Sequence, residues 1–116
     1  MSGDIESLRS KVRAFAEERE WDQFHSPKNL AAALSVEAGE LLEHFQWLTE
    51  DESTSLSDEK RQQVAEELAD VLLYLIRLAD KLGLDLGQAA DRKLLKNAEK
   101  YPVEKSKGKS TKYNEL

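Results

Sequence analysis

From Asp58 to Lys81 the chain runs without a glycine or a proline, and its apolar residues recur at helical spacing and cover nearly the whole circumference: Val64, Leu68, Val71, Leu72, Leu73, Leu75, Ile76, Leu78 and Ala79. A helix that is apolar on so many sides belongs at the centre of a bundle or at a contact between subunits. The remainder of the sequence offers it helices as neighbours. Only five Gly and two Pro occur among 116 residues, too little punctuation for the turns of a multi-stranded sheet.

Local signals divide the chain into four helices. The first covers Ile5 to about Trp21, with Leu8, Val12, Phe15 and Ala16 on one stripe and charged residues elsewhere. A link from Asp22 to Asn29 contains Pro27, either a break between helices or the first-turn residue of a helix capped by Ser26. The second helix is expected to reach about Leu48. The stretch TEDESTSLS has no apolar period and reads as a loop ending at Ser57, an N-cap with Asp58 and Glu59 behind it. The third helix stops before Gly83, and a fourth, capped by Asp85, runs to about Lys100 and halts at Tyr101-Pro102. The expected fold is all-α, a four-helix bundle. Residues 1–102 form its single domain, and residues 103–116 form a basic tail with four lysines against two glutamates.

Composition narrows the function. Without cysteine, disulfides, thiol catalysis and thiolate-held zinc or iron–sulfur sites are excluded. The N-terminus lacks the apolar stretch of a signal peptide, and the longest apolar run, Val71 to Ile76, is far short of a membrane span. A soluble, cytoplasmic protein is therefore expected, without a membrane partner. A net charge of -6 disfavours a nucleic acid polymer as partner but permits a small anion held through metal ions. A domain of this size has little room for both a core and a deep pocket, so a site completed by a second copy, in a homo-oligomer, is expected.

Two acidic pairs stand out by their position. Glu37 lies inside the apolar stripe of the second helix, with Glu40, His44 and Trp47 on the ridge beside it; Glu67, Asp70 and Tyr74 form a similar ridge on the third. Three-residue spacing places both members of each pair on one helix face. Packed face to face, the two helices would bring together four carboxylates whose mutual repulsion and lost hydration need compensation. Arginine pairing or plain solvation is one answer. Divalent cations are the other, and an all-oxygen set suits Mg²⁺, with Mn²⁺ as a substitute. A dinuclear iron bundle fits less well, because it takes Glu-x-x-His elements, whereas Glu40 and His44 are four apart and no His follows Glu67. Mg²⁺ held by carboxylates bridges substrate phosphates. The flat side chains Trp21, Phe24, His25, Trp47 and Tyr74 would then supply a place for a nucleobase. A structural or regulatory helical oligomer that binds metal or nucleotide without turnover is the competing account.

The strings EREWDQFHSPKNL, EAGELLEHFQW and EELADVLLYL, in this order, together with KYP and the terminal TKYNEL, resemble the all-α nucleoside triphosphate pyrophosphohydrolases of the MazG-like superfamily. Within it they are most similar to the dCTP pyrophosphatase-like branch. The resemblance implies hydrolysis of a nucleoside triphosphate to the monophosphate and pyrophosphate, with Glu37, Glu40, Glu67 and Asp70 holding Mg²⁺ and one of them taking a proton from water. It implies base and sugar contacts from Trp21, His25, Trp47 and Tyr74, further substrate contacts from Lys93 and Asn97, and phosphate contacts from Lys109, Lys112 and Tyr113. It also implies a dimer or a dimer of dimers. The expected substrate is dCTP or a 5-modified form, with dUTP or a broader range of triphosphates as the alternative.

Overall fold

A computed structural model of the chain describes residues 4–116. Among these it is all-helical, as the sequence predicts: α1 (Ile5–Glu18), α2 (Pro27–Glu43), α3 (Glu50–Ser53), α4 (Asp58–Lys81), α5 (Leu86–Lys100) and α6 (Val103–Ser106), with 3-10 turns at Asp22–Phe24 and Tyr113–Glu115. None of these helices is long and apolar enough to cross a membrane.

Side-chain caps set most of the starts. Asp4, Ser26, Thr49, Ser57 and Asp85 each accept a hydrogen bond from the backbone N–H three residues on, which satisfies a donor that the first turn leaves free. Pro27 is thus a first-turn residue and not a break, its missing N–H costing nothing there. The segment expected to be an irregular loop holds one helical turn, α3, because Thr49 and Glu52 cap each other's backbone N–H groups reciprocally.

Two helices end sooner than their apolar patterns suggest. At the end of α1, Trp21 N–H bonds Ala16 C=O and Glu20 N–H bonds Glu17 C=O, the paired bonds of a Schellman motif, with Glu20 at φ 54°. The same pair closes α4, from Leu84 to Ala79 and from Gly83 to Asp80, with Gly83 at φ 68°. Beyond Glu43 the regular helix tightens: the His44, Phe45 and Leu48 N–H groups bond carbonyls three residues back.

The chain divides into two compact units, one ending at Leu84 and one spanning Asp85–Leu116. In the first, α4 packs against both α2 and α1. Leu30 of α2, Ala16 of α1 and Ile76 and Ala79 of α4 are buried. Polar bonds add to the α1–α4 contact, since Arg9 and Arg13 both donate to Asp80. In the second unit, which holds α5 and α6, the rings of Tyr101 and Tyr113 meet edge to face at 6.0 Å and the Lys100 ammonium lies 4.7 Å from the Tyr113 ring centre.

Candidate metal and nucleotide site

Packing of α2 on α4 turns the two acidic pairs toward each other. Carboxylate oxygens of Glu37, Glu67 and Asp70 all lie within 4.8 Å of one another. Glu40 stands outside that tight group yet acts on it. The neighbouring Glu40 carboxyl is the largest influence on Glu67, followed by burial and by Glu37, and together they push its pKa up to about 7. Glu37 is also raised, first by burial, while its contact with Glu67 works in the opposite direction. A carboxyl that stays partly protonated near neutral pH marks a place where negative charge is in excess.

No cationic side chain among the described residues relieves that excess. Among the described residues none of the four acids makes an ion pair; the arginines and lysines that do so serve Glu6, Glu18, Asp22 and Asp80. Among the described residues, then, arginine pairing does not balance these charges. Glu37 Oε2 and Glu67 Oε1 are shielded from solvent and have no hydrogen-bond partner. Buried oxygens left without a donor, within a few ångströms of further carboxylates, form a donor set that fits a hard divalent cation.

Beside the cluster lies a cavity of about 490 Å³, large enough for a small ligand. Leu8, Lys11, Val12, Phe15 and Ala16 of α1 form one wall, and Leu73, Tyr74 and Arg77 of α4 another; Trp21 and His25 come from the link between α1 and α2. Asp70 lines the cavity and belongs to the carboxylate group as well, so a ligand could reach from one to the other. Trp21 sits edge-on to Phe15 at 5.8 Å and to His25 at 6.4 Å. The Schellman turn at Glu20 directs the chain into this arrangement, since it places Trp21 directly after the left-handed residue.

The residues singled out from the sequence are thus distributed unevenly. Trp21, His25, Tyr74 and Asp70 line the cavity, and Glu37, Glu40 and Glu67 stand at the cluster. Trp47, 86% exposed, and Phe24, 60% exposed, are outside the cavity lining. His44, half-buried, is the residue on which α2 ends. Lys93 and Asn97 belong to α5, and Lys109, Lys112 and Tyr113 to the end of the second unit.

Sequence reasoning missed Arg77 and the α1 wall. Arg77 is 3% exposed and donates to His25, Asp22 and Asp80. Its signal was visible: one positive charge inside the apolar string VLLYLIRLA. The contribution of Lys11 and Leu8 had no comparable signal, because it depends on how α1 lies on α4.

Known proteins resemble the chain in the same terms. The model of the MazG-like family matches residues 32–116. The dCTP pyrophosphatase 1 of Mus musculus is 43% identical over 114 residues, 97% of this chain and 67% of the relative, and that of Homo sapiens is 43% identical over the same shares. Among solved structures, a pyrophosphatase from Archaeoglobus fulgidus superposes with a TM-score of 0.79 at 43% identity, covering 84% of this chain and 91% of the other.

Proposed function

The chain belongs to the MazG-like family and is a nucleoside triphosphate pyrophosphohydrolase, and from that premise we propose that it hydrolyses dCTP, or a modified dCTP, to the monophosphate and pyrophosphate with Mg²⁺. The observation that carries this reading is the carboxylate cluster with its two orphaned oxygens, joined through Asp70 to an aromatic cavity. The names of the relatives support dCTP as substrate.

Glu37, Glu67 and Asp70, with Glu40 beside them, would hold the cation. When bound, Mg²⁺ offsets triphosphate charge and makes the α-phosphorus and a water easier to bring together. The protein's own part is to aim and to exclude. Tyr74 and Trp21 offer flat surfaces to a base in the cavity, which leaves the triphosphate to extend past Asp70 toward the cluster. Glu40 is exposed and lies next to Glu67, a suitable position for accepting the proton of an attacking water. The apolar α1 wall of Leu8, Val12 and Phe15 keeps water from the base.

Other parts of the chain complete the proposal. Trp47 would close on the sugar, Lys93 and Asn97 would contact substrate, and Lys109, Lys112 and Tyr113 of the tail, residues 103–116, would meet phosphate. The catalytic domain would be residues 1–102, acting in the cytoplasm as a homo-oligomer.

Pyrophosphate release from a panel of deoxynucleoside triphosphates with Mg²⁺ tests this function. The expected result is turnover with dCTP preferred over dUTP, dTTP and purine nucleotides, and its near-complete loss in Glu40→Gln with the fold intact. A preference for dUTP would correct the substrate; folded protein that turns over no nucleotide would overturn the enzymatic reading.

A further inference from the structure

Arg77 is a buried charged residue, and all three of its side-chain nitrogens are committed. One terminal nitrogen donates to Asp80 Oδ2 at 3.2 Å and the other to Asp22 Oδ1 at 2.7 Å. The third, Nε, donates to Nδ1 of His25 at 3.1 Å. The two aspartates hold the guanidinium in place and are themselves held: Lys81 Nζ donates to Asp22 at 2.8 Å, and Arg9 and Arg13 donate to Asp80. Arg9 and Arg13 come from α1, Asp22 and His25 from the link, and Arg77, Asp80 and Lys81 from α4, so three segments fix one planar group.

A guanidinium has donors and no acceptor. Nδ1 of His25 must therefore present a lone pair, and the proton of the neutral ring must sit on Nε2. A charged imidazolium would set N–H against N–H, and a flipped ring would set carbon against the donor. Burial pushes the His25 pKa down, as do the positive charges of Arg77 and Lys81, against an opposing pull from Asp22. The ring lines the cavity, where Lys11 and Asp70 are the other charged groups besides Arg77. Its Nε2 has no hydrogen-bond partner among the described residues.

We propose that Arg77 is a positioning residue that locks His25 as a neutral Nε2–H donor, and that this donor reads an acceptor atom on the edge of the bound base. The proposal rests on the nucleotide reading above for the identity of the ligand, but the tautomer does not depend on it. Cytosine offers O2 and N3 as such acceptors. With its three nitrogens engaged by His25, Asp22 and Asp80, Arg77 has no donor directed at the base and acts on it through His25. A histidine without this partner would exchange between tautomers and protonate more readily, and so would present a donor only part of the time.

The test begins with the full ¹⁵N-labelled protein at pH 7.5, where long-range ¹H–¹⁵N spectra distinguish the tautomers; His44→Gln assigns the two histidines. His25 is expected as a single neutral form with a pyrrole-like Nε2 and a pyridine-like Nδ1. A proton on Nδ1, a mixture, or a charged ring would overturn the lock. Addition of dCMP is expected to shift the Nε2 signal, whereas deoxyribose 5-phosphate leaves it in place. Equal shifts with both, or none with dCMP in a protein that hydrolyses dCTP, would overturn the base contact. Should the protein hydrolyse no nucleotide while its tautomer is as stated, the functional reading and the base contact both fail and the Arg77 lock stands.

Arg77→Lys keeps a cation beside Asp22 and Asp80 but removes the Nε–H. Its KM for dCTP is expected to rise about tenfold, the loss of one oriented hydrogen bond, with kcat nearly unchanged and a second His25 tautomer visible. A variant that folds and retains both KM and the single tautomer would refute the role of Arg77. If it fails to fold, the wild-type spectra and the dCMP titration still decide.

Discussion

Glu67 shows what a carboxylate cluster costs when its charge is not balanced. Its pKa of about 7 lies above the ordinary value of 4.5, chiefly through the neighbouring Glu40 carboxyl and then burial. At this carboxyl the folded chain consequently binds more protons than the unfolded one between those two values. The stabilisation from a protonated Glu67 is complete below about pH 4.5 and is lost as pH rises through 7. His25 acts in the opposite sense, because its lowered pKa makes folding less favourable as pH falls below its ordinary 6.5. Comparison with Glu67→Gln removes that common contribution. Without divalent cations, Glu67→Gln should melt above the wild type at pH 8, and the difference should shrink toward zero by about pH 5. Mg²⁺ at pH 8 should raise the wild-type melting temperature and do much less for the variant, since an ion that binds only the folded state stabilises it. Thermal melts across pH, with and without Mg²⁺, check both statements; a constant difference at every pH would show that Glu67 is not the proton-binding group.

The helix ends explain why some elements were legible and others were not. Ser26-Pro27, Ser57 and Gly83 through Asp85 are local signals, each read within a few residues, and each marks an observed boundary. The acidic pairs were legible for a related reason: helical spacing alone puts both members on one face, and a carboxylate within an apolar stripe needs a partner. The end of α1 was not legible, because the residue in the left-handed position is Glu20 and not a glycine. Nor was the cavity, whose walls belong to helices brought together by packing. The contrast between the two Schellman ends yields a paired prediction. Glu20→Gly should stabilise the protein by about 0.5–1 kcal/mol, because it relieves a side chain held at positive φ, whereas Gly83→Ala should destabilise it by about 1 kcal/mol. Neither result is complicated by a lost contact: the Glu20 carbonyl that accepts from Gln23 is retained in the variant, and a Cβ at Gly83 would meet no atom within 4 Å. Denaturant melts of the two variants measure the difference, and the same sign for both would show that φ does not control these ends.

At the scale of the whole molecule the distribution of apolar surface is the argument. Among the described residues only Ala16, Leu30, Ile76 and Ala79 are buried apolar residues, whereas Val36 and Leu42 of α2, Trp47 beyond it and Leu68, Leu72 and Leu75 of α4 are exposed. These are the two helices that carry the acids, so a second copy covering them would complete the core and enclose the site in one step. The nearly all-apolar character of α4 then has a reason that one chain alone does not supply. Sedimentation equilibrium should accordingly give a multiple of the 13.2 kDa chain mass. Because assembly and folding would be linked, the melting temperature should rise with protein concentration. Leu68→Lys places a charge on this face without touching a carboxylate, and it should lower the melting temperature, abolish its concentration dependence and weaken Mg²⁺ binding together. A 13.2 kDa species with full activity and a concentration-independent melt would show that one chain suffices and that the exposed face of α4 serves another purpose.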